Sequence, residues 1–254
     1  MSTLVLIPTY NERANVQPLA QALHEQLPDA DLLFLDDASP DGTGDRLNAL
    51  RKTHHYIHVC ARPGKSGLGR AYLDGFRWSL TREYTQNICM DADFSHAPEA
   101  TPQLLAGLAN ADLVCGSRYL PSGKIVHWPK PRLWLSRSAG VYTRLITGMP
   151  HSDPTGGFHA LSRKALETLP LDQIRSDGYA FQIELKHRLW MSGLPFQEVP
   201  ITFTERQEGN SKMNGAIVRE AVGEVWRLAA RVNFRRTPPP LPPPLPPPSQ
   251  RSPT

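Results

Sequence analysis

"NICMDADFSHAPE", residues 87–99, sets an apolar run against two aspartates one residue apart. The run reads as a strand over 87–92, and side chains along a strand alternate between faces. On that reading Asp91 and Asp93 emerge on one side and Ala92 on the other. Two neighbouring carboxylates repel unless a cation lies between them. A turn is the second reading, with Asp93 or Ser95 capping a helix that begins near Pro98. The stretch by itself leaves both readings open.

Working outward, further strand-like runs fall at 4–8, 31–36, 56–61 and 112–117. Helical spacing covers about 14–27, 42–53, 68–83 and 99–109, as in Leu19, Leu23 and Leu27. Strands alternating with helices imply right-handed crossovers and an α/β, Rossmann-like, mostly parallel sheet flanked by helices. Such sheets bind ligands at the carboxyl ends of their strands. Polar clusters stand there three times: "PTYNE" after the first strand, "DDASPDGTGD" after the second and "DADFSH" after the fourth. Their recurrence argues for more than chain reversal.

Beyond residue 118 the rhythm changes. "RYLPSGKIVHWPKPR" (118–132) reads as a long loop, followed by the helical "LWLSRSAGVYTRLITGM", then "DPTGGFHALSR". A helix over "DGYAFQIELKHRLWMSG" and a strand over "FQEVPITFTER" come next. Ala216–Arg236 is expected to be an amphipathic helix, with Ile217, Ala221, Val225, Leu228 and Val232 on one face and arginines around it. That helix could lie on an anionic membrane or pack on the core. Residues 237–254 are proline-rich and expected to form a disordered polyproline tail.

The 254 residues suffice for a large core, and a formal charge of +4 suits an anionic partner without selecting one. Cys60, Cys89 and Cys115 lack any Cys-x-x-Cys spacing, which argues against zinc and a disulfide framework. The start, "MSTLVLIPTYNE", has no signal-peptide pattern, and no run approaches the ~20 apolar residues of a membrane span. A cytoplasmic protein is expected. "PGKSG" (63–67) fails as a phosphate-binding loop because Val59 stands where its first glycine is needed. No Gly-x-Ser-x-Gly elbow or His-Glu-x-x-His zinc motif occurs.

Taken together, "PTYNE", "LDDASPDGT", "GLGRAYLDGF", "DADFSHAPE", "GSRY" and "EVPITFTERQEGNSK" resemble the family-2 glycosyltransferases, most closely the polyprenol-phosphate (dolichol-phosphate) mannosyltransferases. The likeness runs in order from about residue 3 to 214. It implies a GT-A catalytic domain over 1–236, whose last part, 215–236, is the amphipathic helix. It also implies transfer of mannose from GDP-mannose to a polyprenyl phosphate, with inversion, at the cytoplasmic face of a membrane.

The resemblance assigns roles to residues. Pro8, Tyr10, Glu12, Leu35 and Asp37 would hold the base and ribose of the sugar donor. Asp91, Ala92 and Asp93 match the acid-x-acid motif that carries a divalent cation, Mg2+ or Mn2+, and the sugar diphosphate, with Ser95 in the metal's surroundings. Arg118, Arg206 and Lys212 match the cations around the phosphates, and Arg118, Arg132 and Ser136 the groups that meet the acceptor phosphate. The chemistry agrees: cleaving a sugar–diphosphate bond builds charge that a hard cation and arginines stabilise. The rivals are another donor such as UDP-glucose, a non-catalytic nucleotide-sugar-binding protein and a nucleotidyltransferase. Nucleic acid is not expected as a partner.

Overall fold

The computed structural model describes residues 2–205 and 215–238, with the backbone alone over 215–221. Strands β1 (Thr3–Thr9), β2 (Ala30–Asp36), β3 (Ile57–Ala61), β4 (Gln86–Cys89), β5 (Leu113–Ser117), β7 (His159–Ser162) and β8 (Phe196–Pro200) form one sheet. Their spatial order is β3-β2-β1-β4-β7-β5-β8, and β7 alone runs antiparallel to its neighbours. Helices α1 (Val16–Gln26), α2 (Thr43–Thr53), α3 (Leu68–Leu80), α4 (Thr101–Gly107), α6 (Arg163–Thr168) and α7 (Gly178–Met191) flank it. Strands β6 (Lys124–Val126) and β9 (Thr202–Thr204) pair in a second, two-stranded sheet. Helices α5 (Lys130–Thr147) and α8 (Gly215–Arg231) complete the fold.

β1 is buried on both faces, as a central parallel strand must be, so it reads as a continuous apolar run. Its alternation divides the interior. Val5 and Ile7 join Leu19, Leu23, Leu47 and Leu104 on one face of the sheet. Leu4 and Leu6 join Tyr72, Phe76, Phe181 and Leu185 on the other. The glycines of "GLGRAY" allow close approach: a Cβ on Gly69 would stand 2.7 Å from the carbonyl oxygen of Ser176.

The register explains how the site is assembled. Thr9 lies opposite Asp36, and Asp36 opposite Ala61, so the loops after β1, β2 and β3 leave one sheet edge together. β4 reaches the same edge, where Met90 N–H donates to Leu6 O at 3.2 Å. Because β7 is antiparallel, its amino end lies at that edge, bringing the preceding 153–157 turn beside the loops.

Several boundaries differ from the sequence reading. β4 ends at Cys89, so Asp91 and Asp93 follow the strand instead of alternating along it. Residue Phe94, between them and Ser95, has φ 58°, which folds the segment into a tight turn. The "FQEVPITFTER" strand is two strands broken at Ile201, and the long 118–132 loop contains β6. α8 stops at Arg231 rather than 236, and Asn233 and Phe234 take positive φ values that turn the chain out of the helix. Val225 and Leu228 pack with Ile183, Tyr142 and Ile146, so the inner face of α8 rests on α5 and α7. The proline-rich tail from 239 onward lies outside the described residues.

Candidate active site

The two readings of the opening stretch can now be separated. The short helical turn at Pro98–Ala100 has Ala97 as its N-cap, α4 has Ala100, and neither has a side-chain cap. Capping by Asp93 or Ser95 is therefore removed. Asp93 is 6% exposed, and its Oδ1 accepts the Ser95 N–H at 3.1 Å. Ser95 is buried with its hydroxyl unpartnered. Asp91 is half-buried, and its N–H donates to His96 Nδ1 at 3.3 Å. That bond needs Nδ1 unprotonated. Burial agrees, pushing His96 down to about 4 against the opposing pull of Asp93.

Both carboxylates act electrostatically on Tyr72 of α3. The Tyr72 hydroxyl, fully buried and unpartnered, is pushed well above its usual range by burial, then by Asp91, Cys89 and Asp93. Among the described residues no group of three or more His, Cys, Asp or Glu side chains converges as a self-contained metal centre. Two carboxylates beside an unpartnered hydroxyl nevertheless fit a hard cation that takes its remaining ligands from a diphosphate.

Arg118 leaves β5 at the same edge and is buried. Its Nε donates to Asp153 Oδ2 at 2.6 Å and its NH2 to Asp153 Oδ1 at 2.7 Å, a two-pronged pair. Burial opposes the guanidinium charge, but Asp153 more than offsets it and raises the Arg118 pKa. The same pairing holds Asp153 below the usual carboxylate range although burial works the other way.

Arg132, at the start of α5, donates to Glu205 Oε1 at 2.5 Å and lies over the Trp128 ring at 4.1 Å. Ser136 Oγ accepts from the Tyr119 hydroxyl at 2.6 Å. Arg118, Arg132 and Ser136 line a cavity of about 260 Å³, whose walls also include Leu135, Tyr142 and Val225. The cavity between α5, α7 and α8 thus combines two carboxylate-paired arginines with mostly apolar walls. Arg206 and Lys212, expected near the phosphates, lie outside the described residues.

The sugar-donor residues gather at the adjoining edge. Pro8 and Tyr10 are half-buried, and Lys65 Nζ lies 4.1 Å from the centre of the Tyr10 ring. Glu12 Oε2 accepts from Asn15 Nδ2 at 2.8 Å. Asp37 pairs with Arg62 and accepts the Ser66 N–H at 3.2 Å, which fastens the 62–66 loop over β2. The Leu35 and Ala92 side chains are buried in the core, so contact with a nucleotide would run through their main chain. Sequence reading overlooked Arg62, Lys65, Asp153 and Lys186. The pairs Asp37–Arg62 and Arg118–Asp153 span 25 and 35 residues, and no local pattern announces either.

An open, mostly parallel α/β sheet with an Asp-x-Asp turn and a carboxylate-paired arginine at its carboxyl edge is the architecture of the GT-A glycosyltransferases. The chain belongs to glycosyl transferase family 2, whose pattern matches residues 4–169. It is 46% identical over 233 residues to undecaprenyl-phosphate mannosyltransferase of Micrococcus luteus, covering 91% of this chain and 96% of that protein. It is 45% identical over 238 residues to polyprenol monophosphomannose synthase of Mycolicibacterium smegmatis, covering 92% and 90%. Among solved structures, glucosyl-3-phosphoglycerate synthase of Mycobacterium tuberculosis with Mn2+, UDP and glucosyl-3-phosphoglycerate aligns with TM-score 0.65. That match covers 92% of this chain and 81% of the other at 19% identity, so it bears on the fold alone.

Proposed function

We propose that the protein transfers mannose from GDP-mannose to a polyprenyl phosphate. The observation that carries this reading is the cavity lined by Arg118, Arg132 and Ser136 together with apolar side chains of α5, α7 and α8. A phosphate joined to a long hydrocarbon presents those two chemistries together. The names of the two relatives, each matched over at least nine-tenths of both chains, support the mannosyl group and the lipid phosphate.

In this mechanism an oxygen of the acceptor phosphate attacks the anomeric carbon of mannose. The bond from that carbon to the diphosphate oxygen breaks, and its electron pair leaves on GDP, inverting the configuration. A phosphate monoester is largely ionised near neutral pH, so no strong base has to deprotonate it. His96 fits that economy, being neutral and committed to the Asp91 N–H. Arg118 and Arg132 hold the phosphate, while Tyr10, Glu12 and Asp37 stand where the nucleoside is expected. Asp91, Asp93 and Ser95 would hold a divalent cation, Mg2+ or Mn2+, which supplies positive charge opposite the leaving diphosphate.

Peripheral contact with a membrane belongs to the same reading. No helix among the described residues is long and apolar enough to cross a bilayer. Instead Trp134 (69% exposed), Leu145 (63%) and Trp226 (50%) stand outward on α5 and α8, beside that cavity. A bilayer surface there would admit the lipid acceptor directly and cover those side chains.

The test is a panel of nucleotide sugars with a polyprenyl phosphate and identification of the lipid product. Transfer from GDP-mannose is expected. Turnover with UDP-glucose and none with GDP-mannose would refute the mannosyl assignment, and sugar-donor binding without product would favour a non-catalytic role.

A further inference from the structure

Lys186, in the middle of α7, is 0% exposed. A buried ammonium normally requires strong partners. Its Nζ donates to the main-chain carbonyl of Asp153 at 2.8 Å and to that of Gly156 at 2.8 Å. Those carbonyls bracket one turn, "DPTG", at residues 153–156. A second anchor reaches the turn from β8. Glu198 accepts from Ser152 N–H at 2.9 Å, from Ser152 Oγ at 3.0 Å and from Asp153 N–H at 3.3 Å.

The turn in turn holds the site. Asp153 takes both prongs of Arg118, whose NH2 also donates to Thr155 Oγ1 at 3.1 Å. Just beyond it, a Cβ on Gly157 would lie 4.0 Å from Asp91 Oδ1. A network built only for stability is a weak explanation, because a buried ionic group is often no more stabilising than an apolar side chain of equal size. Here the buried lysine fixes an element that bonds the arginine and leads directly into Gly157, beside Asp91.

We propose that Lys186 is a positioning residue for transfer: by pinning both ends of the 153–156 turn, it holds the Asp153 carboxylate that aims Arg118 at the phosphates. The inference rests on the reading of Arg118 given under the proposed function. Lys186 itself touches no substrate. Its loss lets the turn relax, and Arg118 then samples orientations in which its free N–H groups miss the developing charge.

The test is Lys186→Met, which keeps the stem and removes the charge and donors. Misplacing a charge-stabilising group by about 1 Å costs on the order of 100-fold in rate, so kcat should fall about that far while the GDP-mannose KM stays within about threefold. In an Arg118→Met background the same change should cost less than about threefold, because the two act through one group. Unchanged turnover in folded Lys186→Met, or reductions that multiply, would overturn the proposal. If Lys186→Met does not fold, Thr155→Val takes its place. That variant should lower kcat several-fold at an unchanged melting temperature, again without further effect once Arg118 is gone, and equal turnover would overturn the proposal. A readout independent of transfer is the Arg118 Nε–H signal in a 15N spectrum. It should be protected in the parent and exchange faster in the variant, and identical protection would overturn the idea. A parent chain without transferase activity would defeat the functional reading alone, and this spectrum would still decide the role of Lys186.

Discussion

Replacing Asp93 by Asn separates chemistry from architecture. In the structure Asp93 Oδ1 accepts the Ser95 N–H at 3.1 Å, and an asparagine oxygen can keep that bond. The fold therefore loses little, at most about 1 kcal/mol, or roughly 2–4 °C in melting temperature for a chain of this size. On the proposed reading the site loses a carboxylate opposite the leaving diphosphate. Removing one group that stabilises transition-state charge costs about 10²–10³-fold, or about 2.7–4 kcal/mol. Burial keeps His96 neutral, and losing the Asp93 charge removes a pull towards protonation, so the profile between pH 6 and 8 should keep its shape. The assay is transfer from labelled GDP-mannose to a polyprenyl phosphate, with Mg2+ and Mn2+ titrated separately and melting followed in parallel. Turnover within about threefold of the parent at low metal would refute the reasoning, because the substitution would then be a change in a turn and nothing more.

Arg132→Ala removes the cation beside Ser136 together with its Trp128 contact, so KM for the lipid acceptor should rise about tenfold with the GDP-mannose KM unchanged; steady-state kinetics in each substrate check this. His151 is fully buried, stacks on Phe196 at 4.2 Å, and is pushed down to about 3 by burial, with Lys186 and His187 adding to it. Its unfolded form binds a proton below about 6.5 while the folded form does not, so stability is full above that pH and falls as pH drops towards 3. His151→Phe should flatten that acid limb in denaturant midpoints measured from pH 7 to 4; an unchanged slope would refute it. Replacing Trp134 and Trp226 together by Asp should abolish co-sedimentation with anionic lipid vesicles while leaving transfer to a detergent-dispersed acceptor within a few-fold.

The first half of the fold was legible because β1 and β2 are buried on both faces and the helices carry plain 3.6-residue spacing, as in Leu19 and Leu23. The gathering of polar loops at one edge followed from parallel connections alone. β7 was missed because His159–Ser162 is a four-residue run after a glycine pair, too short for a periodic signal. The break at Ile201 was equally hidden, since burial continues through Val199 and Ile201 although the strands join different sheets. At the candidate site, Arg132 was assigned by the resemblance, and Asp91, Asp93 and Arg118 stood in recognisable motifs. Their supports did not: Lys186 reads as one more polar position on a helix, and only the folded chain places it under Asp153.

The insertion of β7 between β4 and β5 also bears on the order in which the chain can fold. As the polypeptide emerges during synthesis, β5 is complete at Ser117, but the strand that joins it to β4 begins only at His159. Until then β4 and β5 each present an unpaired apolar edge, and the first strands form a partial sheet open on its growing side. Late mixed pairing of this kind raises contact order and slows folding. Ribosome-bound chains stopped before residue 159 should therefore depend on a chaperone and resist proteolysis poorly; those stopped after α6 should be protected over β1–β4, with β5 protected only once β8 has emerged.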